Sequence, residues 1–91
     1  RPAEEAGTNF MSYTYVLKSK KNGRLYIGST DNLKRRFLEH NKGIGGQYTK
    51  NNRPFLLVFY EAYDDYVLAK RSEKFYKTGY GREVLKSKLE K

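Results

Sequence analysis

Five side chains in this sequence have the types and spacing to cleave a phosphodiester. Tyr15 lies in Tyr13-Thr14-Tyr15-Val16-Leu17 and Tyr26 in Leu25-Tyr26-Ile27-Gly28. Arg36 and His40 follow, and much later Glu73 stands as a lone acid among lysines and arginines. Hydrolysis of that bond needs a proton acceptor, a fixed positive charge and a carboxylate that holds a metal ion, and a short basic chain has few other ways to assemble them. A duller reading stands beside each residue. In a chain with nine tyrosines, a strand tyrosine is ordinarily packing. Arg36 has Glu39 and Asp31 nearby as ion-pair partners, His40 can meet the negative end of a helix, and Glu73 precedes Lys77 by one helical turn.

The elements that must position these residues follow from periodicity. Ser12 to Ser19 and Arg24 to Ser29 are rich in β-branched and aromatic residues and are joined by Lys20-Lys21-Asn22-Gly23, a strong hairpin signal because Asn-Gly accepts positive φ. Ser29, Thr30 and Asp31 offer caps to a helix over 32–41, closed by Gly43. On that helix Arg36 and His40 flank the Leu33 and Phe37 stripe and lean over the hairpin. The stretch from Gly43 to Pro54 reads as a long mobile loop. Phe55-Leu56-Leu57-Val58-Phe59-Tyr60 is apolar on both faces and predicts a strand inside the sheet or covered on both sides. Asp64 and Asp65 cap a helix reaching about Lys77. Leu68, Ala69, Ser72, Phe75 and Tyr76 lie on one side of it, Lys70, Arg71 and Lys74 on the other, and Glu73 on the border. Thr78-Gly79-Tyr80-Gly81 ends it, and Arg82 to Lys91 forms a final helix with Val84, Leu85 and Leu89 inward. The order is β-β-α-β-α-α, an α+β chain.

With 91 residues the chain makes one domain with one modest core. Met11 directly precedes the first strand, so residues 1–10 read as a disordered leader or cloning remnant and 11–91 as the domain. Nineteen Lys and Arg against ten Asp and Glu give a net charge of +9, spread along the length. A polyanion such as DNA is the natural partner, with plain solubility as the alternative. The absence of cysteine excludes disulfides and thiolate zinc sites. No apolar run approaches membrane-spanning length and no secretion signal precedes the first strand, which reads as a protein of the cytoplasm.

Taken in order, these motifs resemble the GIY-YIG nuclease domain over Met11 to Lys91. Tyr13-Thr14-Tyr15 stands where that family has its first tripeptide, and Tyr26-Ile27-Gly28 reproduces the second. Arg36 falls at the family's arginine, His40 at a histidine one turn later, and Glu73 at the metal-binding glutamate. The resemblance implies a small three-stranded antiparallel sheet flanked by helices. It also implies metal-dependent DNA cleavage, of the kind found in small stand-alone bacterial members and in junction-cleaving and excision-repair relatives. Tyr13 and Thr14 replace the Gly and Ile of the first motif. The asparagine that repair and homing members carry after the glutamate is missing, with only Ser87 nearby.

The roles implied are specific. Glu73 would hold one Mg²⁺, for which Mn²⁺ can substitute. Tyr26 would accept a proton from the attacking water, neighbouring positive charge lowering a phenol's pKa from about 10. Tyr15 would position that water or share its proton, and Arg36 would bind the phosphate through its planar fork. For His40, orienting Tyr26 and contacting phosphate both stand open. Lys42, Gln47, Tyr48, Lys50 and Arg53 would grip a nucleic-acid backbone, with Tyr48 able to stack on a base, and Lys70, Arg71 and Lys74 would extend that track. Lys77 and the terminal lysines read as solvated surface. A nuclease of repair or recombination is the first reading. A binding module that has kept the fold without the chemistry is the second, and neither a protein partner nor a homodimer can be read from the sequence.

Overall fold

The computed structural model describes residues 11–90; the reading of residues 1–10 as a leader lies outside the described residues. β1 (Ser12–Ser19) and β2 (Leu25–Thr30) form the expected antiparallel hairpin. Its turn is locked by side chains: the Ser19 hydroxyl oxygen accepts from the Lys21 and Asn22 amides (3.0 and 3.2 Å), and Asn22 accepts from the Arg24 amide at 2.9 Å. Those bonds satisfy donors that the ladder leaves open and hold the register.

β3 (Phe55–Tyr63) pairs antiparallel with the other edge of β1, giving the order β2-β1-β3. The central place therefore belongs to β1, whose Tyr15, Val16 and Leu17 are all buried. This corrects the reading of the apolar run at residues 55–60 as a strand inside the sheet or covered on both sides. With only three strands, one must close the sheet on that side, and Leu56, Val58 and Tyr60 are exposed along the edge. The register skips Val58 opposite Val16 and Leu17, a bulge that bends this edge.

Helices cover both faces. On one side α1 (Leu33–Lys42) and α2 (Gln47–Asn52) pack over Tyr15, Leu17 and Phe55, with Tyr26, Leu33 and Phe37 completing the cluster. On the other, α3 (Tyr66–Tyr76) and α4 (Gly79–Leu89) cover Val16 and Ile27 with Tyr76 and Leu85, and the Thr14 hydroxyl donates to the Ala69 carbonyl at 2.7 Å. Val84, Leu85 and Leu89 do face inward. The architecture is the three-stranded antiparallel α+β fold, with the order β-β-α-α-β-α-α. Among the described residues no helix is long and apolar enough to cross a membrane.

Three boundaries differ from the sequence reading. The Gly43 to Pro54 loop contains α2, a six-residue polar helix that buries only Thr49, too short and too polar for periodicity to reveal. Asn32, not one of the three preceding residues, caps α1 by accepting from the Arg35 amide (3.0 Å), while Thr30 accepts from the Asn32 amide. Thr78 ends α3 as expected, donating to the Phe75 carbonyl at 2.7 Å, but it also caps α4, which starts at Gly79 and not at Arg82, by accepting from the Gly81 amide at 2.9 Å. On α3 the inward face is Ala69, Glu73 and Tyr76, whereas Leu68 and Phe75 remain partly exposed.

Candidate active site

Antiparallel register explains the second tripeptide. Tyr15 lies opposite Gly28, and its ring crosses β2 at that point. A Cβ on Gly28 would stand 2.5 Å from the Tyr15 hydroxyl oxygen. Only glycine leaves room for this phenol to reach past the hairpin into α1 and α2. Tyr26 comes from the neighbouring pair with Leu17 on the same face, and the two rings lie 6.4 Å apart.

The Tyr15 hydroxyl ends on a fully buried histidine. His40 Nε2 is 2.9 Å from it, and His40 Nδ1 is 2.9 Å from the Thr49 hydroxyl. The Thr49 hydroxyl donates to the Gly46 carbonyl, so its oxygen accepts from Nδ1–H, and Nε2 is left to accept the Tyr15 proton. Gly45 passes so close to the imidazole that a Cβ there would collide with Nδ1. Burial first, and the Arg36 charge second, push the His40 pKa down to about 4 against the partial opposition of Glu39, so the ring is neutral at physiological pH. Burial pushes the Tyr15 pKa up to about 12, although the hydrogen bond from Arg36 works in the other direction. Tyr15 is thus a protonated phenol, donating to His40 and accepting from Arg36.

This arrangement has a measurable consequence. Between pH 6.5 and about 4 the unfolded chain binds a proton at its histidine that the folded chain refuses. Stability from this group is therefore present above pH 6.5 and is lost as the pH falls toward 4, by on the order of 3 kcal/mol in all. Urea unfolding across that window should show the loss, and His40→Gln should flatten the slope there; an unchanged slope would place the histidine in solvent.

Arg36 is held in place on several sides. Its guanidinium donates to Glu39 Oε1 (2.9 Å) and to the Gly45 carbonyl (3.0 Å), besides reaching Tyr15. The pairing with Glu39 read from the sequence as the dull alternative is present, yet Arg36 also lines an open groove with Ser29, Thr30, Asp31, Arg35, Tyr66 and Lys70. The remaining N–H groups of its fork are available for an anion in that groove.

Glu73 reaches the same place from the opposite face of the sheet. Its side chain is only 10% exposed, and it accepts from the Ser29 hydroxyl on edge strand β2 (2.6 Å), from Lys70 (3.2 Å) and from Lys77 (2.7 Å). Burial alone would raise its pKa, but the bonds from Lys77, Ser29 and Lys70 outweigh burial and hold it below the usual carboxylate range. Its charge is felt at the Tyr15 hydroxyl, and that of Tyr26 at Lys70. The exposed edge of β2 is where the two helical layers meet. Among the described residues no three His, Cys, Asp or Glu side chains converge to hold a metal. The donor set still suits a hydrated Mg²⁺, which prefers one or two ionised carboxylates with water and phosphate oxygens filling the rest. The two half-exposed ammonium groups mark this as a place built for positive charge.

Of the two phenols, only Tyr26 has a hydroxyl that takes part in no hydrogen bond among the described residues. Its ring lies 5.1 Å from His40 and stacks on Tyr48 at 5.9 Å and 15°. His40 therefore touches Tyr26 through its ring and reaches no groove, so it fits an orienting role and not phosphate contact.

The nucleic-acid candidates divide. Tyr48 stands beside Tyr26, and Lys70 borders the Arg36 groove. Lys74 lies about 40° from Lys70 around α3, whereas Arg71 lies about 100° away and lines a different groove with Glu61, Tyr63 and Ser72. Arg53 folds its guanidinium over Gly43 at the end of α1, and Lys42, Gln47 and Lys50 are exposed. Thr49 and Gly45 were not singled out from sequence, and Ser29 was read only as a helix cap. Thr49 and Gly45 lay within a supposed loop, and Ser29 meets Glu73 across 44 residues, a contact without any local signal.

Known proteins resemble this chain over most of its length. The model of the GIY-YIG catalytic domain matches residues 11–87. The chain is 40% identical to a UPF0213 protein of Staphylococcus haemolyticus, over 81% of this chain and 89% of that one. A UPF0213 protein of Clostridium perfringens is 39% identical, over 74% and 71%. The solution NMR structure of a UPF0213 protein from Bacillus halodurans is similar, with a TM-score of 0.52 and 34% identity, covering 85% of this chain and 83% of that one.

Proposed function

The chain belongs to the GIY-YIG catalytic-domain family, and from that premise we propose that it is a metal-dependent DNA endonuclease, directed by DNA structure and serving repair or recombination. The observation that carries this reading is that Arg36, Ser29 and Lys70 line one groove at the open edge of β2, and Ser29 and Lys70 are both bonded to an ionised Glu73 behind it. Arg36, oriented by Glu39, Gly45 and Tyr15, binds the scissile phosphate and stabilises the extra charge of its pentacoordinate state. Tyr26, whose hydroxyl is uncommitted, takes the proton of the attacking water as its phenolate. Tyr15 and His40 position Arg36 and Tyr26. Glu73 with Ser29 would hold Mg²⁺, which when bound supplies Lewis-acid neutralisation of phosphate charge. Lys70 and Lys77, now bonded to Glu73, would with the metal in place be free to meet phosphates.

The test is direct. Supercoiled plasmid and branched oligonucleotide substrates should be nicked with Mg²⁺ or Mn²⁺ and left whole in EDTA. Two observations favour a second reading, a DNA-binding module without activity: both Glu73 oxygens are taken by lysines, and no asparagine stands between Asn52 and Lys91. Binding without nicking across the whole panel, in either metal, decides for that module.

A further inference from the structure

A second groove opens on the other side of Glu73. It has a volume of about 610 Å³ and runs along the β2 edge to α4, with Leu25, Ile27 and Leu85 as its floor and the stacked Tyr26 and Tyr48 on one wall. Arg24, Lys77, Arg82 and Lys86 line it, and no acidic residue does. Lys77 is tied to Glu73, but Arg24, Arg82 and Lys86 have no carboxylate partner among the described residues. These cations come from three separate elements, the hairpin turn and helices α3 and α4, so helical spacing alone does not bring them together. Lys70 and Lys77 flank the same carboxylate, one facing each groove. The two grooves are thus neighbours along one strand edge, with the cleavage site between them.

We propose that this second groove binds unpaired DNA, holding the nucleotides that flank the scissile phosphate on one side. The inference rests on placing cleavage at the β2 edge. Its volume lies within the range of about 300–1,000 Å³ that holds small ligands, room for a nucleotide or two. The mixture of surfaces selects the occupant. A duplex presents phosphates and sugars outward with its bases stacked inside, and needs only cations. An apolar floor beside stacked phenols is matched by an exposed base, while Arg24, Arg82 and Lys86 take the phosphates on either side of it.

Fluorescence anisotropy in EDTA tests the groove apart from catalysis, using a labelled 12-nucleotide DNA single strand, the corresponding blunt duplex and an RNA strand of the same sequence. The variant Arg82→Ala/Lys86→Ala should lose at least about tenfold in affinity for the single strand, with a shallower dependence on salt by roughly 1.4 in the log–log slope, and less than about threefold for the duplex. Tyr48→Ala should lose roughly 5–100-fold on the single strand, and Tyr48→Phe should keep most of the affinity. Arg24→Ala, on a different element, repeats the test if α4 proves sensitive, and circular dichroism verifies folding of each variant. Equal losses on strand and duplex, tighter binding of RNA than DNA, or unchanged affinities would each overturn the proposal. If the parent never cuts DNA yet the strand-selective losses appear, the groove stands and the nuclease reading falls; if it cuts while the variants bind normally, the reverse holds.

Discussion

Glu73→Gln is expected to cut DNA at least ~10³-fold more slowly than the parent while binding it as tightly or more tightly. That rate loss corresponds to about 4 kcal/mol in the barrier, the scale of losing a metal's stabilisation of phosphate charge. Glutamine keeps the shape and can still accept from the Ser29 hydroxyl, but it removes the negative charge that Lys70 and Lys77 now neutralise. Those ammonium groups become free for phosphates, so affinity should hold or rise. The fold should survive, because both lysines are about half exposed and ion pairs of this kind contribute no more than about 1 kcal/mol each. Single-turnover cleavage and anisotropy on the same protein preparations separate the two effects. A variant cutting within tenfold of the parent would remove Glu73 from metal binding.

How far the sequence reaches can be traced residue by residue. The hairpin was legible because Asn22-Gly23 and the alternation around it leave few other conformations. The order of tyrosine, glycine and arginine was legible because each has a packing reason: Gly28 is small so that Tyr15 can cross it, and Arg36 is one turn before His40 so that both reach Tyr15. The placement of β3 was not legible. Strand hydrophobicity reports burial averaged over many folds, and a three-stranded sheet leaves an apolar edge that a larger sheet would cover. Helix α2 was hidden for a different reason. Its work is done by a single residue, Thr49, which holds His40 from nine residues away, and one buried position makes no period. Arg71 is next to Lys70 in sequence, yet the angle around α3 turns the two toward different grooves. The sequence also could not show that the two phenols differ. They share a face of one hairpin, and only the buried partners of Tyr15 set them apart.

That difference makes the second large effect specific to one hydroxyl. Tyr26→Phe should slow cleavage by about 10²–10⁴-fold, the range for loss of a proton acceptor, with DNA affinity and stability close to the parent's, because the lost hydroxyl has no protein partner to abandon. Tyr15→Phe should behave differently. It leaves His40 Nε2 without a donor inside the core and Arg36 without one of its supports, so unfolding free energy should fall by about 1–3 kcal/mol. The rate should drop less than in Tyr26→Phe, through a misplaced guanidinium. The pH dependence follows the same logic: a phenol pushed up to about 12 by burial holds its proton more firmly than a free one and makes the poorer acceptor. A Tyr15→Phe chain that is stable yet inactive, beside a Tyr26→Phe chain that still cuts, would mean that the buried phenol is the acceptor, handing its own proton to His40 Nε2 as it takes one from water.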